Sequence, residues 1–393
     1  MITNILKKIR IQISVIFLGL LLINSGKSDF KPGKEIIKLN TSGYIQAKIF
    51  LFYVGTYTPN GKGISVYSMN SETGSTKYMG LFPSTSNPSF LAVHPNKKWL
   101  YSVSETTEGS VSSYRIKDSA SIELINTIKT NGKGPCYVSI DNSGRFLLTA
   151  QYQSGSVVSL PINRDGSLGN ISSFIQHTGR SIIEERQAGP HAHSMVPAPE
   201  GNLIFSADLG TDIVYGYKLD TITGKLDSLS KTYIKPGSGP RHIAFHPNRK
   251  WMYLLNEISG MVEGYMLNTD SGTLKIIQIL QVIKDKNSGA HASDIHIDPS
   301  GKFLYAAERD PENTITLFSV NLNTGMLTMI EKVPSGGKVP RNFAIAPNGN
   351  FLVVGNQNSD NLTIFRIDIK TGKLTQVGMP VSIKSPACIK FML

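Results

Sequence analysis

Cysteine is scarce in this chain, because its 393 residues include only Cys136 and Cys388. Two cysteines are too few for the disulfide framework of a small secreted scaffold, and no Cys/His spacing matches a zinc site. The two thiols stand near the starts of two separate repeats, so the sequence does not place them together. Although an exported protein can pair its cysteines, we expect two buried thiols here.

Long hydrophobic runs are also missing. The apolar stretch near the N-terminus, Ile11–Ile23, is short for a helix that crosses a bilayer. It follows a basic segment at residues 7–10 and is followed by small polar residues at 24–26. This order predicts an export signal over residues 1–26. We therefore expect a periplasmic or secreted protein, with a lysine-rich tether over residues 27–49.

Positive charge is in excess, but it is not concentrated. The chain has 40 Lys and Arg against 28 Asp and Glu, a formal net charge of +12. The body of the chain has no run of Lys or Arg and no basic segment interleaved with aromatic residues, which argues against nucleic-acid binding. Net positive charge attracts small anions. The expected partner is a small anionic substrate bound by a monomer, with no membrane contact beyond the export signal.

The chain has no useful length of 3.6-residue apolar periodicity, which argues against a helical repeat. Instead, a unit of strand, tight turn and strand recurs, as in residues 239–257. Its turn, which we use as an anchor, occurs at six places: Pro95–Trp99, Asn142–Phe146, Pro199–Leu203, Pro247–Trp251, Pro299–Phe303 and Pro347–Phe351. The anchors are 47, 57, 48, 52 and 48 residues apart. A period of this size is typical of a repeat architecture.

Each unit predicts four antiparallel strands, which is the content of a propeller blade. Six units are complete, and a seventh is split between Phe52–Phe82 and Pro386–Leu393. Joining these two parts closes the ring and leaves no open edge. We predict an all-β fold over residues 50–393: a seven-bladed β-propeller of four-stranded antiparallel blades, in which the N- and C-terminal strands share one blade.

Common residues of the repeats build the scaffold, so differences between repeats indicate where function lies. The position six residues before each anchor, here called the mouth position, begins the innermost strand. Its occupants are Ser89, Cys136, His193, Arg241, Ser293, Arg341 and, in the closing strand, Ala387. We expect His193, Arg241 and Arg341 to face one central space. His191 and His291 each lie two residues before the mouth position of their own repeat, so they occupy equivalent positions.

Polar pairs end the second strand of six units, nine and ten residues after the anchor. They are Ser104-Glu105, Gln151-Tyr152, Asp208-Leu209, Asn256-Glu257, Glu308-Arg309 and Asn356-Gln357. We expect them beside the mouth positions, where Glu257 becomes a candidate catalytic carboxylate. Glu308, His191 and His291 are candidate substrate-binding residues. A single Arg or His at such a place is often structural, so it is the convergence of several that indicates chemistry.

Four segments resemble segments of a known family: Tyr53-Val-Gly-Thr-Tyr57, Gly239-Pro-Arg-His242, Asp294-Ile-His-Ile-Asp-Pro-Ser-Gly-Lys-Phe-Leu-Tyr305 and Val339-Pro-Arg-Asn342. Together they are similar to the seven-bladed propeller lactonases. That family includes bacterial propeller-type 6-phosphogluconolactonases and, more distantly, fungal carboxymuconate cyclases. The resemblance spans roughly residues 50–393 and implies that His193, Arg241 and Glu257 are active residues, that Arg341 binds substrate, and that no cofactor or metal is needed.

The resemblance implies hydrolysis of a sugar lactone, either 6-phosphogluconolactone or a related aldonolactone. Well-known phosphogluconolactonases of this type act in the cytoplasm, whereas this chain carries a predicted export signal. The resemblance therefore does not decide which of these lactones is the substrate. Glu257 or His193 would be the base, and Arg241 would stabilise the oxyanion.

Three alternatives also remain. One is a muconate-type cycloisomerase, and another is a non-catalytic propeller that binds a small ligand. The third is a metal-dependent lactonase with a cage of four side chains: Asp208, Asn256, Glu308 and Asn356.

Overall fold

The computed structural model describes residues 48–82, 86–117, 121–283 and 291–392. The predicted export signal, residues 1–26, and residues 27–47 of the predicted tether lie outside these ranges. The first strand begins at Ile49, which the sequence analysis had placed at the end of the tether. Everything that follows concerns the described residues.

Seven antiparallel sheets hold the described strands, and each sheet is one blade. In hydrogen-bonding order, blade 1 contains β29 (Pro386–Phe391), β1 (Ile49–Thr56), β2 (Ile64–Asn70) and β3 (Thr76–Phe82). Blade 2 contains β4 (Leu91–Val93), β5 (Trp99–Ser104), β6 (Ser110–Ile116) and β7 (Ile122–Lys129). Blade 3 contains β8 (Pro135–Ile140), β9 (Phe146–Gln151), β10 (Ser156–Pro161) and β11 (Ser173–Gln176).

The other four blades repeat the same order. Blade 4 contains β12 (Ala192–Pro197), β13 (Leu203–Asp208), β14 (Ile213–Leu219) and β15 (Leu226–Tyr233). Blade 5 contains β16 (Pro240–Phe245), β17 (Trp251–Asn256), β18 (Met261–Leu267) and β19 (Leu274–Gln281). Blade 6 contains β20 (Ala292–Ile297), β21 (Phe303–Glu308), β22 (Thr314–Val320) and β23 (Leu327–Pro334). Blade 7 contains β24 (Pro340–Ile345), β25 (Phe351–Asn356), β26 (Asn361–Ile367), β27 (Leu374–Gln376) and β28 (Val381–Ser382), the last also paired with β26.

Burial follows the apolar pattern of each strand. Every residue of β17 is buried, whereas β19, at the outer edge of the same blade, mixes half-buried and exposed positions. A continuous apolar run bounded by turns is what a strand covered on both faces requires. The apolar side chains pack between neighbouring blades, as Phe146 and Leu148 of blade 3 do against Met195 of blade 4. The core is therefore divided among the interfaces between blades.

The ring closes as the sequence predicts. Strand β29 pairs with β1, with Val54 opposite Ile389, so both ends of the propeller contribute to blade 1. The predicted all-β, seven-bladed fold with a shared closing blade is confirmed. Cys136 and Cys388 are buried, as expected, and lie in different blades.

Helix is confined to short segments among the described residues. They are α1 (Glu184–Gln187), between β11 and β12, and a 3-10 helix (Gln357–Ser359) after β25. In the ranges given above, no helix is long and apolar enough to cross a membrane.

Candidate active site

The mouth residues share a backbone irregularity. In blade 4, Ala192 pairs with Asp208 and Ser194 pairs with Ala207, which leaves His193 as an extra residue in its strand. The same bulge occurs at five other mouth positions: Cys136, Arg241, Ser293, Arg341 and Ala387. A bulge bends the strand and redirects a side chain. Here it turns the mouth residues toward the centre of the ring.

These side chains surround one small pocket. Six of the seven mouth residues line it: Ser89, Cys136, His193, Arg241, Arg341 and Ala387. Tyr57, Phe90, His242 and Asn342 complete the lining. The structure thus brings His193, Arg241 and Arg341 to one space, as the alignment of the repeats indicated.

Arg241 is the hub of the pocket. Its Nη1 donates to Oε2 of Glu257 at 2.7 Å and to Nε2 of His193, while its Nε donates to the carbonyl oxygen of Ser293. A guanidinium can only donate hydrogen bonds, so Nε2 of His193 must accept, and the imidazole proton must lie on Nδ1. That Nδ1 faces the Sγ of Cys136 at 3.9 Å. The tautomer of His193 is therefore fixed by its neighbours.

His193 is held in its neutral form. Burial lowers the pKa of His193 well below its usual 6.5, and the positive charge of Arg241 lowers it further, while Glu257 opposes both. The imidazole ring of His193 packs edge-on against the ring of Tyr152, with the two ring centres 5.4 Å apart. It packs edge-on against the ring of His242 at the same distance. A neutral, oriented imidazole with an unprotonated Nε2 is the form that a general base requires.

Glu257 is surrounded by guanidinium groups. Its Oε2 bonds Arg241, while its Oε1 accepts from Nη2 of Arg186 at 2.6 Å and lies 3.2 Å from Nη2 of Arg309. Burial alone would raise the pKa of Glu257, but the three arginines, with His193, hold it well below its usual 4.5. The carboxylate is thus ionised at neutral pH, 3.9 Å from Nε2 of His193.

Arg341 belongs to a second polar group on the other side of the pocket. Its Nη2 donates to the hydroxyl of Tyr57 at 2.8 Å, and that hydroxyl donates to Oε2 of Glu105 at 2.8 Å. Ser89 donates to the same carboxylate oxygen. Because the Tyr57 hydroxyl accepts from only one nitrogen of the guanidinium, Arg341 keeps donors that can face a ligand in the pocket.

The two outer histidines lie at the rim, in different roles. Nε2 of His291 accepts from Nη1 of Arg186 at 3.1 Å, and burial lowers the pKa of His291. Nδ1 of His191 is 2.8 Å from the carbonyl oxygen of Tyr152, and the two rings stack 4.5 Å apart. His291 therefore contacts the Glu257 group through Arg186, and His191 positions the aromatic ring beside His193.

Comparison with known proteins shows the family of this chain. A family model described as a seven-bladed β-propeller lactonase matches residues 51–391. The chain belongs to this lactonase family. The resemblance seen in the sequence is confirmed.

Relatives of this lactonase cover most of its length. A 6-phosphogluconolactonase of Formosa agariphila is 37% identical over 348 residues, which cover 86% of this chain and 98% of the relative. A 6-phosphogluconolactonase of Bacillus subtilis is 37% identical over 347 residues, covering 87% and 98%. The solved periplasmic gluconolactonase of Pseudomonas aeruginosa is 31% identical with a TM-score of 0.83, covering 88% of this chain and 99% of that one.

Glu308 does not join the active-site cluster of the lactonase, which corrects the expectation that it binds substrate there. Its carboxylate accepts from Thr314 at 2.7 Å, from Thr316 and from Nζ of Lys332 at 2.7 Å, and its side chain is fully buried in blade 6. Side chains alternate between the two faces of a strand. The first residue of each strand-end pair therefore faces its own blade.

The other members of the proposed metal cage are held in the same way. Asp208 bonds Nδ1 of His177 at 2.7 Å, and Asn256 donates to Glu263 at 2.8 Å. Asn356 donates to Thr363 and to other groups of blade 7. The four side chains stay in four separate blades and do not form the suggested cage. Within the described part of the lactonase, no three His, Cys, Asp or Glu side chains are grouped as metal ligands.

The sequence analysis assigned no role to several members of the cluster, although signals for them existed. Glu105 and Arg309 are second members of strand-end pairs, and alternation along the strand predicts that these second members face the channel. Tyr57 ends a segment quoted for the family resemblance. Arg186 lies on α1, within the longest interval between anchors, 57 residues. Extra length in one repeat is a common place for a functional insertion.

Proposed function

We propose that this chain hydrolyses the ester bond of a sugar lactone, with 6-phosphogluconolactone preferred and 6-phosphogluconate as the product. The observation that carries the proposal is the contact of Arg241, which lines the pocket, with both His193 and Glu257. The names of the relatives from Formosa agariphila, Bacillus subtilis and Pseudomonas aeruginosa support this reaction class. Such an activity belongs to carbohydrate metabolism.

His193 is the general base in this proposal. Nε2 of His193 carries no proton, so once Arg241 releases it, it takes a proton from water as the water oxygen attacks the lactone carbonyl carbon. The imidazolium that forms lies beside the carboxylate of Glu257, 3.9 Å away. The negative charge of Glu257 stabilises that imidazolium, as a buried carboxylate does beside a catalytic histidine elsewhere.

Arg241 stabilises the oxyanion. As the carbonyl oxygen gains charge, Nη1 of Arg241 exchanges its contact with His193 for the developing oxyanion, an interaction worth roughly 3 kcal/mol in a site from which water is excluded. The exchange also frees Nε2 of His193 for the proton. When the ring C–O bond breaks, the leaving alkoxide takes that proton from His193, which restores the neutral histidine. The open-chain product is a carboxylic acid, which then loses its remaining proton to solvent and becomes the carboxylate.

The charge of the pocket favours an anionic lactone. Two guanidinium groups line it, those of Arg241 and Arg341, and those of Arg186 and Arg309 contact Glu257, the acidic partner of Arg241. Two carboxylates, Glu257 and Glu105, are their acidic partners. The excess of two positive charges suits a phosphate monoester, which carries about −1.5 to −2 at neutral pH. Arginine binds such groups bidentately, which lysine does not do.

We also propose that the reaction takes place outside the cytoplasm. The support is the basic, apolar and small-residue order of residues 7–26. The Pseudomonas aeruginosa neighbour is itself named as periplasmic. Fractionation of cells that produce the full chain tests this: recovery of shortened protein outside the cytoplasm is expected, and full-length protein only in the cytoplasm contradicts it.

A substrate panel tests the reaction class. Freshly made 6-phosphogluconolactone, unphosphorylated glucono-1,5-lactone and a muconate are each incubated with residues 27–393, and spontaneous hydrolysis is subtracted. Acceleration of lactone opening with no conversion of the muconate is expected. Conversion of the muconate alone would favour a cycloisomerase, and tight product binding with no acceleration of any reaction would favour a binding propeller.

The proposal predicts how activity depends on pH. Because the pKa of His193 lies well below 6.5 and that of Glu257 well below 4.5, both groups keep their active forms as the solution is acidified through pH 6.5. We expect kcat/KM to stay level through that region and to fall only at lower pH. The unphosphorylated lactone is the substrate to use, since a phosphate group titrates near pH 6 itself. An acid limb centred near pH 6.5 would contradict this account of His193.

A further inference from the structure

Arg186 is the accessible member of the three arginines on Glu257. The side chain of Arg186 is 31% exposed, against 3% for Arg241 and 16% for Arg309. Its guanidinium forms the outer cover of the buried carboxylate, with Nη2 on Glu257 and Nη1 on His291. A ligand that enters the pocket from the rim therefore meets Arg186 before the inner arginines.

The backbone that carries Arg186 is fixed, so only its side chain needs to move. The next residue, Gln187, is fully buried and donates through Nε2 to the carbonyl oxygen of Leu209 and to the carboxylate of Asp212, both at 2.8 Å. Asp212 also accepts from the backbone amides of Gly237 and Gly239. The four-residue helix α1 is thereby tied to blades 4 and 5.

Glu257 stays paired when Arg186 leaves it. Arg241 remains on Oε2 at 2.7 Å and Arg309 remains near Oε1 at 3.2 Å. The buried carboxylate therefore keeps two cationic partners, so the exchange does not leave an unpaired buried charge, which would be strongly unfavourable. Released from Arg186, Oε1 of Glu257 interacts more strongly with a protonated His193, which favours the base step.

We propose that Arg186 is the specificity-determining residue, which exchanges Glu257 for the phosphoryl group of a phosphorylated aldonolactone. The inference rests on the lactonase function proposed above. Arg186 and Arg241 donate to opposite oxygens of one carboxylate, so their two donor nitrogens lie no further apart than two hydrogen bonds plus the width of that carboxylate. In a six-carbon 1,5-lactone phosphorylated at C6, a short chain of bonds joins the carbonyl carbon to the phosphorus, so one substrate spans both arginines. Arg241 thus contacts the reacting carbonyl while Arg186 contacts the phosphate.

Substitution of Arg186 tests this with two independent readouts. In Arg186→Ala, the ratio of kcat/KM for 6-phosphogluconolactone to that for glucono-1,5-lactone is expected to fall about 10- to 100-fold, the value of a charge-assisted hydrogen bond. The affinity for 6-phosphogluconate, measured by calorimetry and divided by the affinity for gluconate, should fall by a similar factor in the variant. Arg186→Lys, which keeps the charge but loses the fork, should fall between wild type and Arg186→Ala.

A matched control comes from the same segment. Arg180 is exposed and precedes α1, so Arg180→Ala removes one positive charge from the same segment without removing a contact to the cluster, and both ratios should stay at their wild-type values. Equal losses for the phosphorylated and unphosphorylated ligands in Arg186→Ala would overturn the proposal, as would an unchanged ratio. Because product binding does not depend on turnover, a selective loss of 6-phosphogluconate affinity supports Arg186 even if wild type accelerates neither lactone, an outcome that would refute only the lactonase function.

Discussion

Replacing Arg241 with alanine is expected to lower kcat for lactone hydrolysis by about 10²- to 10³-fold, the usual cost of removing one oxyanion donor. Arg241 is buried, contacts both His193 and Glu257, and lies where charge develops on the carbonyl oxygen. Steady-state kinetics with background subtraction measures the effect. Arg241→Lys should recover part of the loss, since lysine restores the positive charge but lacks the planar guanidinium that donates to two partners at once.

The control for this substitution is Arg249→Ala in the same blade. Arg249 is 55% exposed and pairs with Glu200 at the protein surface. Surface ion pairs contribute little to stability, so wild-type kinetics are expected. A fully active Arg241→Ala protein would show that the oxyanion is stabilised elsewhere.

Replacing Glu257 with glutamine is expected to lower kcat by about 10²- to 10⁴-fold, in the range of acid–base contributions. The amide occupies nearly the same volume but cannot stabilise the imidazolium of His193 by charge. The substitution should also lower Tm, because Arg186, Arg241 and Arg309 then share no carboxylate. Kinetics and calorimetry on one preparation separate the two effects.

Glu308→Gln is the matched control, a buried carboxylate in the neighbouring blade whose contacts all lie outside the pocket. Burial raises the pKa of Glu308 to about 7, against the hydrogen bonds from Lys332 and two threonines. Lys332 keeps its second partner, Glu312, at 2.6 Å. Near wild-type kcat is expected. If Glu308→Gln and Glu257→Gln lost equal activity, loss of folding rather than of chemistry would explain both.

The repeat pattern explains why the sequence predicted so much of the fold. Each turn anchor fixes the register of two strands, so a residue counted from the anchor occupies the same place in every blade. The count placed His193, Arg241 and Arg341 at one position, and the structure shows that position to be a bulge in each of their blades. The split blade also followed from the pattern, because an unclosed ring would leave exposed strand edges.

Counting residues from the turn anchor predicted the place of a side chain less well where the face of a strand or an insertion determines that place. Glu308 and Arg309 are adjacent, and the alternation of side chains sends the first into its blade and the second to Glu257. The expectation that both residues of each strand-end pair lie beside the mouth positions did not take this alternation into account. Arg186 has no equivalent in other blades, since it lies on an insertion whose path depends on tertiary contacts of Gln187. No repeat-based argument predicts such a contact.

The central claim is that the cluster of His193, Arg241 and Glu257 opens lactones. Its most direct test is background-corrected hydrolysis of fresh 6-phosphogluconolactone at neutral pH by wild type, Glu257→Gln and Glu308→Gln, each confirmed to be folded. The account predicts rapid opening by wild type and Glu308→Gln, with little acceleration by Glu257→Gln. Equal rates for wild type and Glu257→Gln would place the chemistry outside this cluster and contradict the account.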